Sequence, residues 1–308
     1  MSDSGRPVVH LVDASIYVFR AWFSMPDQFN DPAGRPTNAV YGFARFLCDL
    51  LNQTGTKHLA LGFDESLTTS FRNEIYAPYK ANREPAPPEL ERQFRWCRDL
   101  AHCLGLATHA DDRYEADDLI ATLAAIAREN GHPVCIVSSD KDLAQLVGPG
   151  DWWWDFARRR KLDASQLADH FGVEPALIPD FLALTGDSVD NIPGIPGIGP
   201  KTAAVLLAHF GSLEAIFDRV EEIPFLSFRG ARTLPGRLRG MRDQAMMARR
   251  LTRLERKVPA VLANPDTARG KGDPDALDAL LDSLGFGLPL RRRLHRSAWP
   301  EGSEKAAE

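Results

Sequence analysis

Cysteine is scarce in this 308-residue chain. The four present (Cys48, Cys97, Cys103 and Cys135) form no CxxC pair and no zinc-finger spacing, and three stand in apolar surroundings. Reduced, buried thiols are expected. The eight histidines contain no HExxH, which argues against a zinc hydrolase. No apolar run approaches the ~20 residues of a membrane-spanning helix, and the N-terminus lacks an apolar signal region, so a cytoplasmic protein without a membrane partner is expected. No repeat of solenoid period is present. What remains is an ordinary globular composition, 44% hydrophobic and 26% charged, enough for one large domain or two modest ones.

The net charge of -5 conceals an asymmetry. Residues 201–308 hold 19 Lys and Arg against 14 Asp and Glu, whereas residues 1–200 hold 18 against 28. In the stretch 229–257 ten basic residues face only Asp243 and Glu255. That division suits a protein holding metal in its front half and phosphates in its back half. A solvated arginine-rich helix face is the alternative, and composition alone does not choose.

Three apolar, β-rich runs each end on an aspartate: VVHLVD at Asp13, HLALGFD at Asp64 and PVCIVSSD at Asp140. They read as buried strands of a parallel sheet, whose ligands gather at the strands' carboxyl ends. Helical patterns cover 38–53, 89–104 and the residues after Tyr114, the last breaking at Asn130-Gly131. This strand–helix alternation predicts an α/β domain with a mainly parallel sheet over 8–172. From 173 to 296 the chain reads as short helices joined by Pro/Gly turns, and 297–308 as a polar, disordered tail. Trp152, Trp153 and Trp154 on one strand point to alternating faces, so at least one belongs to the core and none is given a site role.

Two further acid clusters can join the strand ends: YEADD, with Glu115, Asp117 and Asp118, and TGDSVDN, with Asp187 and Asp190. Asp142 follows Asp140 across a strand-to-helix turn. Any single Asp here could simply cap a helix or start a turn. Together they would repel one another unless cations sat between them. Carboxylates are the donors that magnesium and manganese prefer, and two such ions about 3.5–4 Å apart support in-line phosphoryl displacement. Hydrolysis of a phosphodiester is the reaction type implied.

The motifs LVDASIYVFR, GFDESLTTSFR, YAPYKANR, YEADD, SSDKDLAQL, LTGDSVDN and GIPGIGPKTA occur in the order and approximate spacing of the bacterial 5′-3′ exonucleases. The chain resembles this flap-endonuclease-like family, which includes the N-terminal nuclease domain of DNA polymerase I, from about residue 8 to 296. The resemblance implies a parallel sheet flanked by helices, a helical arch over about 80–100, and a C-terminal helical domain with a helix-hairpin-helix turn. It implies a first metal site from Asp13, Asp64, Glu115 and Asp117, and a second from Asp140, Asp142 and Asp187. Asp118 and Asp190 are implied as outer groups binding metal-held water. Two Mg²⁺ or Mn²⁺ are the implied cofactors, with a monovalent cation such as K⁺ at the hairpin turn.

Lys80 and Arg83 are implied to contact the scissile phosphate from the base of the arch, Arg72 to support it, and Arg20 to meet the duplex end. A positioned cation is useful there because the phosphodiester gains charge during attack. Tyr76 and Tyr79 could stack on a base or pack the loop, and packing is the preferred reading. GIPGIGPKTA does not meet the phosphate-loop pattern, because Pro200 separates Gly199 from Lys201 and no strand precedes it. A tight turn at Gly197 and Gly199, with Lys201 and Thr202 heading the next helix, instead suits the backbone of a duplex. The reading is a stand-alone, monomeric 5′-3′ nuclease acting on DNA with 5′ single-strand/double-strand junctions, and on RNA–DNA hybrid at primers. It would cooperate with a polymerase and a ligase in replication or repair. A catalytically weak DNA-structure-binding protein and a PIN-type ribonuclease are the alternatives.

Overall fold

β1 (Val9–Asp13) is buried along all five residues, as befits a strand covered on both faces. The computed structural model describes residues 5–26, 28–65 and 69–300. After β1 come α1 (Ala14–Ser24), α2 (Asn38–Thr54), β2 (Leu59–Asp64), α3 (Phe71–Ile75), α4 (Pro88–Cys103), β3 (Ala107–Asp111), α5 (Ala116–Glu129), β4 (Val134–Val137), β5 (Trp152–Asp155), β6 (Arg160–Leu162) and α6 (Ala164–Phe171). The helical part holds α7 (Ile178–Thr185), α8 (Pro200–Phe210), α9 (Leu213–Asp218), α10 (Leu234–Leu238), α11 (Arg242–Thr252) and α12 (Pro259–Ala263). α13 (Pro274–Ser283) and α14 (Leu288–Ala298) close the chain's described elements.

The six strands form one sheet in the order β3-β2-β1-β4-β5-β6. All pairs are parallel except β5–β6, which is antiparallel. β1 therefore lies between β2, which follows it, and β4, which arrives after the α5 crossover. The strand order reverses there, and such a point opens a crevice at the carboxyl ends. Gly62, paired in register with Asp13, lets α5 come close: a side chain at that position would stand 3.0 Å from the Ala116 carbonyl. The first turn of α5 is thereby brought against the strand ends.

Two cores sandwich the sheet. One face packs α5, α7, α8 and α11 around Leu11, Leu119, Ile136 and Trp153. The other packs α1, α2 and α4 around Val12, Phe43, Leu61 and Trp154. The tryptophan run thus sends Trp153 and Trp154 to opposite faces, as its alternation predicts. Cys48, Cys97 and Cys135 are buried free thiols and Cys103 is half-buried.

Several expectations are corrected. The third strand stops at Val137 rather than Asp140, because the Ser138 hydroxyl accepts the Asp140 amide (2.9 Å) and turns the chain out of the ladder. Residues 274–296, expected with the helical unit, pack instead on the α1–α2–α4 face through Leu277, Leu281, Leu284, Phe286, Leu290 and Leu294. Of the tail 297–308, α14 runs through Ala298 and the Trp299 indole donates to the Lys271 carbonyl (2.7 Å), while 301–308 lie outside the described residues. Where an arch was expected, residues 77–83 form turns and α4 buries Leu90, Cys97 and Leu100 in the core.

Candidate active site

Asp13 caps α1, its Oδ1 accepting the Ile16 amide (3.1 Å), while its Oδ2 accepts the Ser138 hydroxyl (2.9 Å). Capping and site membership therefore coexist in one residue. Burial pushes its carboxyl up to about 7, with the charges of Asp64 and Asp140 adding to the rise. Asp64, at the end of β2, accepts the Ala116 amide at the mouth of α5 (2.9 Å), and its own amide is held by the Ser15 hydroxyl (2.9 Å). Asp117 is pushed well above the carboxylate range by burial and then by Asp140, Asp13 and Asp64. These four acids, from four chain segments, thus face one another at the switch point.

A second group adjoins them. Asp140 Oδ1 accepts the Asp142 amide (2.8 Å), and its carboxyl is raised by burial and by Asp190. Asp142 is raised well above the usual range by burial and by Asp140, and its Oδ1 is a buried oxygen without a hydrogen-bond partner. Asp187, 6% exposed, accepts from Lys141 Nζ (2.8 Å) and from the Val189 amide (2.9 Å).

Glu115 behaves oppositely. Burial would raise its carboxyl, but Lys80 and Arg72 outweigh that and hold it at about 2. Lys80 Nζ stands 2.7 Å and the Tyr79 hydroxyl 3.1 Å from its Oε2. The same hydroxyl reaches Asp190 (3.2 Å), which also pairs with Arg83. Lys80 and Arg83 are therefore counter-ions of the acids here, and Tyr79, buried as expected, bridges two of them.

Two site assignments are overturned. Arg72 cannot support a phosphate: it is 1% exposed, its guanidinium forks onto Asp118 (2.6 and 2.8 Å) and its Nε donates to the Leu251 carbonyl (2.7 Å). Asp118 cannot bind metal-held water: it is fully buried, and besides Arg72 it accepts the amides of Glu115 (3.2 Å) and Glu255 (2.8 Å). The three acids at 115–118 thus divide among a lysine, an acid cluster and a buried arginine.

Arg20 lies exposed on α1, in a 230 Å³ recess with Tyr17, Arg45 and Phe156. A larger cleft of 370 Å³ runs from Asp64 past Phe19 to Phe94 and Arg98 of α4. The turn between α7 and α8 brings Gly194 against Gly186. Gly197 adopts φ 81°, Gly199 precedes α8, and Lys201 is exposed in its first turn with Thr202 beside it. The same connection carries Asp187 and Asp190 at its start, where the Asp187 and Ile192 backbones exchange hydrogen bonds (2.9 and 2.7 Å).

Reading the sequence alone missed Ser15, Ser138, Tyr79 and Lys141 as partners of the acids. The hydroxyl residues in DAS and SSD, next to candidate ligands, are the signal that could have found the serines. Among the described residues no three His, Cys, Asp or Glu side chains stand closed into a ready metal-binding set. Nine carboxylates (Asp13, Asp64, Glu115, Asp117, Asp118, Asp140, Asp142, Asp187 and Asp190) meet four cations, Arg72, Lys80, Arg83 and Lys141. With every acid ionised that is a formal excess of five negative charges, of which two divalent ions would offset four; without ions, burial and repulsion raise several of these carboxyls instead. Hard oxygen donors, raised carboxyls and the unpartnered Asp142 Oδ1 all fit such ions.

The family described as 5′-3′ exonuclease, N-terminal resolvase-like domain matches residues 8–172, and its C-terminal SAM fold matches 173–275. DNA polymerase I of Mycobacterium leprae is 38% identical over 298 residues, covering 95% of this chain and 32% of that protein. The Rhizobium leguminosarum DNA polymerase I is 41% identical over 256 residues, 81% of this chain and 24% of that protein. This chain thus spans about a third or less of the length of these curated relatives. In fold it resembles the T5 5′-exonuclease with bound zinc (TM-score 0.63, 20% identity, 94% of this chain and 99% of that one). It also resembles the catalytic core of Rad2 in complex with DNA substrate (TM-score 0.60, 18% identity, 96% and 94%). With both family domains matched in order and the acids of one sheet edge brought together, this chain belongs to the 5′-3′ exonuclease family.

Proposed function

We propose that this chain is a structure-dependent 5′-3′ nuclease that hydrolyses phosphodiester bonds of DNA at 5′ ends, 5′ flaps or RNA primers. The observation that carries the reading is the convergence of four acids at the sheet's switch point, where burial and mutual repulsion raise the carboxyls of Asp13, Asp117 and Asp140. Asp13, Asp64, Glu115 and Asp117 would hold one Mg²⁺ or Mn²⁺, and Asp140, Asp142 and Asp187 a second, with Asp190 outside them. Divalent ions, when bound, supply Lewis-acid stabilisation of charge developing at phosphorus.

The chain's own residues do the rest. Ser138 fixes the Asp13 carboxylate and Ser15 fixes the backbone of Asp64, so both donors are oriented before substrate arrives. Lys80 and Arg83, now paired with Glu115 and Asp190, are placed to turn their cationic heads to the scissile phosphate once ions neutralise those acids. Arg20 meets the duplex end. The 194–199 turn, with Lys201 and Thr202 and a K⁺ on its carbonyls, grips the duplex backbone without reading bases. A monomer handing its nicked product to a polymerase and a ligase completes the proposal.

The test is a product map on a labelled 5′-flap duplex with and without Mg²⁺. Mg²⁺-dependent cleavage near the junction, leaving 5′-phosphate and 3′-hydroxyl ends, is expected. Flap binding with no metal-dependent product overturns the nuclease reading.

A further inference from the structure

We propose that Arg72 is a positioning residue which, through Asp118, couples duplex engagement at the α7–α8 turn to the acid-bearing first turn of α5. The proposal rests on the nuclease reading above and adds to it a buried route between its two halves.

The route is continuous in the structure. Gln244 of α11 donates to the Gly194 carbonyl in the hairpin turn (2.9 Å). Seven residues on, about 10 Å along the helix, the Leu251 carbonyl at the end of α11 accepts from Arg72 Nε (2.7 Å). Arg72 in turn forks onto Asp118, and Asp118 holds the amide of Glu115, where the α5 acids begin. Glu115 Oε2 stands a further 3.7 Å from Arg72 Nη1. The end of α11 reaches the other acid turn as well: Gln145 joins the Thr252 carbonyl and Leu254 amide to the Asp142 carbonyl, at 2.9, 3.2 and 2.9 Å.

The charges suit their places. Arg72 sits at the carboxyl end of α11 and Asp118 in the first turn of α5, each where the helix dipole favours its sign. With Arg72 1% and Asp118 0% exposed, neither is free for solvent or substrate. Stability alone is weak grounds for such a pair, since apolar residues of similar volume often serve a core equally well. What the fork does that apolar residues cannot is bind α3, the head of α5 and the end of α11 in one fixed geometry.

Hydrogen exchange in EDTA, with and without a 5′-flap duplex, tests this without divalent metal. In the wild type, duplex binding should slow exchange at the amides of residues 115–119 about tenfold, within the usual range of coupling free energies. In the double variant Arg72→Met/Asp118→Leu, folded and still binding duplex, that slowing should vanish. Should this variant fail to fold, Arg72→Lys makes the same comparison: one ammonium cannot span Leu251 and both Asp118 oxygens, so the slowing should fall to about threefold or less. Undiminished slowing in the folded variant overturns the coupling and leaves the nuclease reading standing. A wild type that neither binds the flap duplex in EDTA nor cleaves it with Mg²⁺ overturns both, and one that cleaves it with Mg²⁺ yet shows no slowing overturns the coupling alone.

Discussion

Lys80 holds left-handed backbone, φ 55°, a conformation that costs a non-glycine residue on the order of 1 kcal/mol. Its amide is held by the Asp190 carbonyl (3.0 Å). Asn191, also at φ 56°, donates its side-chain amide to the Pro78 carbonyl (2.7 Å). Two strained residues thus lock the basic segment 76–83 to the loop bearing Asp187 and Asp190, with the Lys80 ammonium among the acids. Lys80→Ala should therefore lower kcat by about 10²–10³ while changing flap affinity only a few-fold, as removal of a transition-state contact does. Single-turnover rates and a binding isotherm check this, and a pure affinity loss would make Lys80 a binding contact. Asp140→Ala and Asp187→Ala should each reduce cleavage on the order of 10³-fold or more, the scale of losing several kcal/mol of charge stabilisation. Gel shift in EDTA should show flap binding retained. That these acids gather at one sheet edge was legible in the sequence, whereas the burial of Arg72 and Asp118 was not: a basic residue between two site motifs resembles a phosphate contact until its burial is seen.

Elements were legible where periodicity and burial agree. The pattern over 38–53 became α2 almost to the residue, and its Asn38–Thr54 span buries nine side chains on one stripe. β3 escaped because Ala107–Asp111 is an edge strand, half-buried throughout and poor in large apolar residues. α13 and α14 fall in the stretch read as short helices but were assigned to the helical unit, since an amphipathic stripe does not say which face of a sheet it covers. Leu281→Ala in α13 should cost about 2–5 kcal/mol, the usual loss for a fully buried leucine, measured by urea unfolding. A negligible loss would mean that α13 does not share that core.

β1 also carries a buried imidazole. His10 is held at about 4, mainly by burial and then by the charge of Lys161, against the raising effect of the Val8 backbone as acceptor. A depressed histidine disfavours the charged native form, so stability is complete above pH 6.5 and falls as pH drops toward 4. About 2 kcal/mol should be lost by pH 5 from this group alone. His10→Leu should shrink the Tm difference between pH 7 and pH 5, and an unchanged difference would remove His10 as the cause.

At the scale of the whole molecule, the α/β part and the helical part share one core: the face that packs α5 on the sheet runs on through Leu182, Leu206 and Leu251 without a break. The sequence marks a change of pattern near 172, where Gly172 ends α6 in left-handed backbone, but a change of pattern does not reveal a shared interior. Charge is divided along the same axis, acids at the sheet edge and exposed basic residues around α8 and α11. Lys201→Ala should weaken duplex binding and reduce the slope of log affinity against log salt by about 1, as loss of one phosphate contact predicts. A slope identical to wild type would place Lys201 off the phosphate backbone.

The Trp153 indole N–H rests on the main-chain oxygen of Asp140 (3.0 Å), so the acid edge carries its own optical reporter. In a chain keeping that tryptophan alone, a titration with manganese or magnesium can be followed by emission, with no label attached and no substrate consumed.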